Sequence, residues 1–221
     1  MKKAISFLDQ LLRNNNRDWF NAHKSEYLEI QSRFNDFVSQ LIAGVSSFDE
    51  TIKGLTVKDC TYRIYRDLRF SPDKRPYKTH LGAYICRGGK CSGFAGYYFH
   101  IEPDEAAYIG ANILAAGLYA PTSTQIKLVR EAILHDGNQF QNVLTEASGF
   151  THDQHNSLRR VPNGYPADSP FAPFFKLKDY SISSPLPKDI LFGKNLLEYV
   201  LTEFQKAKNY NLFLNQIIEK Q

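Results

Sequence analysis

HLGAYICRGGKCSGFAGYYFHIE, residues 80–102, decides the fold. Its two ends, HLGAYIC (80–86) and GYYFHIE (96–102), are rich in Tyr, Ile and Phe and follow the two-residue period of a strand. Between them Gly88 and Gly89 supply the turn. Strands joined this closely run antiparallel, because a parallel pair needs a long crossover. Outward on both sides, YRIYRD (62–67) and AAYIGANI (106–113) carry the same composition, with Pro103, Asp104 and Glu105 as a further turn. The expectation is an antiparallel β-meander.

Helical spacing flanks it. Ile5, Leu8, Leu11 and Leu12 predict a helix over 3–13, and NNN at 14–16 ends it and caps the next. A second helix is expected from about Arg17 to Val45, its stripe running through Phe20, Tyr27, Ile30, Phe34, Phe37, Leu41 and Val45. Together they make an N-terminal helical hairpin packed on the sheet. Thr122 to Thr124 cap a helix that stops at Gly137, and another spans about 138–148. From 150 to 194 the chain reads as a proline-rich wrapping arm, since so long an irregular stretch in a compact domain is functional or packed. A last amphipathic helix covers roughly 195–219. The reading is one α+β domain over residues 1–221, without internal repeats.

Composition sets bounds. Of the 221 residues 43% are hydrophobic, which suffices for a sizeable core and excludes a disordered chain. No apolar run approaches the ~18 residues of a membrane span, so no membrane partner is expected. MKKAISFLDQ lacks the continuous apolar region of a signal peptide. The protein is read as cytoplasmic, and Cys60, Cys86 and Cys91 fit a compartment that keeps thiols reduced.

The charge is concentrated. RIYRDLRFSPDKRPYK, residues 63–78, holds six basic and two acidic side chains; the remainder balances 21 against 21, so this stretch carries the whole net charge of +4. If 62–67 is a strand, Tyr62, Ile64 and Leu68 share one face with Arg66, while Arg63, Tyr65, Asp67 and Arg69 share the other. Pro72 and Pro76 stiffen the connection bearing Asp73, Lys74, Tyr77 and Lys78. Converging guanidinium forks suit a phosphate or carboxylate. Asp67 would orient them, act as a base, or neutralise one as an ion pair.

These residues resemble the bacterial family of uncharacterised proteins designated DUF2461, marked by R-x-x-R-D-x-R-F-x-x-[DN]-K-x-x-Y. Arg63, Arg66, Asp67, Arg69, Phe70, Asp73, Lys74 and Tyr77 meet its fixed positions. NNNRDWF with HKSEY, and RRVPNGYPADSP with KLKDY, extend the resemblance over nearly the whole chain. It implies a site, without a reaction, cofactor or catalytic residue.

Other constellations are weaker. G-x-S-x-G, P-loop and G-x-G-x-x-G motifs are absent. His152 and His155 with Asp153 between them suit a solvated loop better than a metal site. His100 alternates with Tyr98 and Glu102 along its strand: a general base if that face meets Arg63, otherwise a hydrogen-bonded strand histidine, with His80 in a similar position. Trp19 is a stacking surface or, more commonly for a lone Trp, core. Arg159, Arg160, Lys176 and Lys178 form a second basic group that would enlarge the pocket should the arm fold over the strand end.

Three functions compete. The first is a pocket for a phosphorylated or other anionic small molecule, with or without catalysis: Arg63, Arg66, Arg69, Asp73, Lys74 and Lys78 bind, Asp67 orients or abstracts a proton, and Tyr77 donates a hydrogen bond. The second is a nucleic-acid module with Tyr65, Tyr77 and Trp19 as stacking surfaces. The third is an interaction protein whose Arg–Asp network serves the fold. No cofactor or metal is expected, and the oligomeric state stays open.

Overall fold

The computed structural model describes all residues except Phe70, Ala107, Gln154, His155, Lys220 and Gln221. It begins with three helices, α1 (Lys2–Arg13), α2 (Arg17–Ala22) and α3 (Lys24–Phe48). Asn16 caps α2, its side-chain oxygen accepting from the Trp19 N–H at 2.9 Å. The single helix expected over 17–45 is broken at His23. There the imidazole Nδ1 donates to the Trp19 carbonyl at 2.8 Å and the ring stacks on the indole at 4.0 Å. Tyr27, Ile30, Phe34, Val38, Leu41, Ile42 and Val45 form the buried stripe of α3. A short helix, α4 (Val57–Cys60), precedes the basic stretch.

Strands β1 (Leu81–Cys86), β2 (Gly96–Ile101) and β3 (Ile113–Leu118) form the antiparallel meander. Leu81 pairs with Ile101 and Cys86 with Gly96, so the turn falls where Gly88 and Gly89, both at positive φ, allow it. Next come α5 (Ser123–His135), α6 (Gly137–Glu146), the two-residue β4 (Thr151–His152) and α7 (Ala172–Phe175). They lead to β5 (Tyr180–Pro185), α8 (Lys188–Phe192), α9 (Leu196–Lys206) and α10 (Lys208–Ile218). The sheet order is β1-β2-β3-β5-β4, with all pairs antiparallel. This is an α+β fold.

Several expected boundaries move. Residues 62–67 are not a strand of the sheet. Only Thr61 bridges to Ala83, after which the chain leaves and pairs with itself through Tyr65↔Tyr77. The Arg66 N–H donates to the Pro76 carbonyl at 2.9 Å and that of Lys78 to Ile64 at 2.8 Å, which makes a small basic hairpin. Residues 108–112 form no strand either: Glu102 Oε1 accepts the N–H groups of Ile109, Gly110 and Ala111. The strand starts at Ile113 instead. The proline-rich arm contributes β5, between β3 and β4. The closing helix is split at Ala207 into α9 and α10.

Period two divides the sheet into unlike faces. Ala83, Ile85, Tyr97, Phe99, Ile101, Leu114, Ala116, Leu118, Tyr180 and Ile182 are buried on one of them. Phe99 meets Phe34 and Phe37 of α3 with ring centroids at 6.3 and 5.0 Å, and Tyr97 meets Phe204 of α9 at 5.4 Å. Register puts Gly82, Tyr84, Tyr98, His100, Ala115 and Gly117 on the other. At Gly117, φ is +102° and an added Cβ would lie 2.1 Å from the Tyr180 carbonyl, so no other residue fits the β3–β5 seam. No helix among the described residues is long and apolar enough to cross a membrane.

Candidate functional site

In the basic hairpin two aspartates collect three arginines. Asp73 accepts from Arg66 at 2.6 Å and from Arg75 at 2.7 Å, while Asp67 accepts from Arg69 at 2.6 Å. Asp73 also accepts the Arg75 backbone N–H, and Asp67 that of Arg69. Arg75, then Arg66, hold the Asp73 carboxyl well below the usual range. Hydrogen bonds from Arg69 bring Asp67 down to about 2. Lys74 Nζ donates to the Leu68 carbonyl at 3.2 Å. Exposure still alternates as a strand's would: Ile64 is buried, whereas Arg63, Tyr65, Asp67 and Arg69 are exposed. Phe70 lies outside the described residues.

Two anchors fix the hairpin to the helices. The Tyr77 ring is buried and stacks on Phe20 at 4.0 Å. Asn15 grips the Tyr77 backbone at both ends, donating to its carbonyl at 2.9 Å and accepting its N–H at 3.0 Å. NNN therefore does more than end one helix and cap another: its middle residue holds the hairpin, a pairing across 62 residues that no local spacing signals. Trp19 stacks on His23 and lies 5.6 Å from Phe7.

The remaining cations gather where the hairpin rejoins the sheet. The Lys78 and Lys90 ammonium groups stand 5.2 and 5.9 Å from the Tyr62 ring centroid. Arg63 is close enough to Lys78 to help lower its pKa, after burial, which is the larger cause. Among the described residues, none of Arg63, Lys78 and Lys90 has a carboxylate within the 4.0 Å of an ion pair. Beyond them spreads the sheet face that carries Tyr84 and Tyr98, with Tyr62, Tyr108 and Tyr119 exposed around it.

At the centre of that face lies a polar line. Tyr98 Oη and His100 Nδ1 are 2.9 Å apart, and His100 Nε2 faces Glu102 Oε2 at 3.6 Å. His100 and Glu102 are completely buried in their side chains. Glu102 Oε1 accepts backbone N–H groups from Ile109, Gly110 and Ala111, a nest that compensates a carboxylate without a cation. His80 lies 5.0 Å from His100 and stacks on Tyr108 at 4.1 Å. Burial pushes His100 down to about 4. His80 falls to about 3 through burial first, then His100, Lys78 and Arg66. The alternation of Tyr98, His100 and Glu102 was visible in the sequence; the loop that folds onto Glu102 was not.

Residues 3–213 match the family model described as "Conserved hypothetical protein (DUF2461)". The chain belongs to that family. Among curated proteins and solved structures nothing matches it. DUF2461 membership covers the fold from α1 into α10 and names no chemistry, so function rests on the geometry.

The other candidates stand apart. Arg159, Arg160 and Lys176 line a cleft of about 460 Å³ with Val161, Ala167, Ala172 and Pro173, and no described hairpin residue enters it. His152 is buried with Nδ1 donating to the Ser181 carbonyl at 3.1 Å, whereas His155 lies outside the described residues. Cys60, Cys86 and Cys91 are free thiols, and Cys86 donates to the Gly89 carbonyl.

Proposed function

We propose that this DUF2461 member binds a phosphorylated or otherwise anionic small molecule where the basic hairpin meets the tyrosine-bearing face of the sheet. One observation carries the reading: Lys78 and Lys90 converge on Tyr62 with Arg63 close to Lys78, and none of the three has a carboxylate partner among the described residues, although three neighbouring arginines have one. Like charges held together at a half-buried rim repel until an anion joins them. In this division of labour Arg63, Lys78 and Lys90 take the ligand. Arg66, Arg69, Arg75, Asp67 and Asp73 shape the hairpin, and Tyr77 anchors it. The reading takes the protein to work in the cytoplasm, where its thiols stay reduced.

Thermal unfolding with inorganic phosphate or pyrophosphate tests this. A ligand at a hundredfold excess over Kd stabilises by about 2.7 kcal/mol, and Arg63→Ala and Lys78→Ala should each abolish that gain while remaining folded. If no anion shifts the wild-type transition, the pocket reading fails. The exposed rings of Tyr62, Tyr65, Tyr108 and Tyr119 near these cations favour a second reading, single-stranded nucleic acid stacked on them. Tight oligonucleotide binding, weakened about a thousandfold between 50 and 200 mM salt, would establish it instead.

A further inference from the structure

We infer that Glu102, His100 and Tyr98 form a proton relay ending on the tyrosine-bearing sheet face, with Tyr98 Oη as its reacting group. The substrate's class, a small anion held by Arg63 and Lys78, rests on the function proposed above; the relay itself does not.

Three observations support it. The groups lie in series along one side of β2 and the residue after it, a fully buried carboxylate at one end and a half-buried tyrosine at the other. His100 Nε2 and Glu102 Oε2 are both buried and lack any hydrogen-bond partner, yet they point at each other. Unsatisfied buried polar atoms are costly in a merely structural network; in a relay, a contact that is long at rest can tighten as charge develops. Room for the phenol is also provided, since a Cβ on Gly82 would lie 2.6 Å from Tyr98 Oη. Besides Tyr98 and Glu102, the titratable groups facing His100 are His80, whose ring is tilted against it, and Tyr108, which stacks beside it.

The tautomer follows from the carboxylate. A proton on Nε2 faces Glu102 Oε2 attractively, whereas a lone pair there would be repelled. Nδ1 is then the acceptor, and Tyr98 donates to it. In the forward step a substrate C–H or O–H proton passes to Tyr98 Oη while the tyrosine's own proton passes to His100 Nδ1. The substrate is left as its conjugate base and His100 as an imidazolium beside the Glu102 carboxylate. Reversal returns the proton, so deprotonation and reprotonation of one bound anion needs no further reactant. Tyr98 is the catalytic residue; His100 and Glu102 act through it.

A neutral aryl sulfonyl fluoride reports on Tyr98 without engaging the cationic rim. Its sulfur bonds to Tyr98 Oη, the S–F bond breaks, fluoride leaves, and the phenolic proton goes to His100 Nδ1. Peptide mapping should find Tyr98 labelled faster than Tyr119, although Tyr119 is 73% exposed. Glu102→Gln keeps an oxygen for the three backbone donors but turns an amide N–H toward His100 Nε2, moving the imidazole proton to Nδ1 and removing the base. Labelling of Tyr98 should drop about a hundredfold, the scale of general-base assistance, with circular dichroism unchanged. Should that variant not fold, nitrogen-15 NMR of the wild type decides, with His100 expected as the Nε2–H tautomer. An Nδ1–H tautomer, or Tyr98 labelling no faster than Tyr119, overturns the relay whatever the phosphate titration shows. A relay upheld without anion stabilisation overturns the anion reading alone.

Discussion

Single residues in the hairpin differ in what they can lose. Asp73 accepts from two guanidinium groups and a backbone N–H, so Asp73→Asn leaves Arg66 and Arg75 facing each other with no carboxylate between them. Arg63 has no ion-pair partner among the described residues, and its removal relieves Lys78. Arg63→Ala should therefore shift the melting temperature by no more than about 2 °C, the scale of a surface substitution, whereas Asp73→Asn should lower it clearly more. Differential scanning calorimetry of the two variants checks this, and equal losses would make Arg63 part of the scaffold. Sequence alone located the charge excess. It did not assign Asp67 to Arg69 or Asp73 to Arg66 and Arg75, because pairing in a hairpin depends on where the turn falls.

Among the elements, α3 was the most legible, and β3 the least. The spacing of Phe34, Leu41 and Val45 fixed one face of a helix, and that face is the buried one. ILAAGL gives β3 small residues that resemble neither a strand nor a helix; its pairing with β2 and β5 makes it a strand. Residues 62–67 had the opposite fate: good strand composition, but Pro72 and Pro76 turn the chain back on itself before it can extend along β1. The α3 register has a direct consequence. Phe34 is 5% exposed and packs on Phe99, so Phe34→Ala should cost about 3–5 kcal/mol in urea unfolding, and half-buried Phe37→Ala less. Wild-type stability in Phe34→Ala would mean that α3 meets the sheet through another face.

For the whole molecule, the unlike sheet faces set the response to acid. One face is apolar and covered by α3, α9 and α10. The other buries His100 and crowds His80 between His100, Tyr108 and the cations of the hairpin, so both histidines stay neutral when folded. In the unfolded chain each titrates near 6.5. Between about pH 6.5 and 4 the unfolded state thus binds protons that the folded state refuses, and stability must fall as the pH falls. His100 alone, with a folded value of about 4, accounts for about 2 kcal/mol between pH 7 and pH 5, or a melting temperature about 4–8 °C lower. His152, lowered chiefly by its own burial, adds in the same direction. The aspartates of the hairpin enter later: Asp67 and Asp73 have depressed values, so their contribution is lost only as pH drops below about 4, near the unfolded aspartate value. Melting temperatures at pH 7.5, 6.5, 5.5 and 5.0 sample the histidine window alone, before the aspartates enter. A curve that is flat down to pH 5 would show His100 accepting its proton in the folded protein, with the Glu102 carboxylate outweighing the cost of burial.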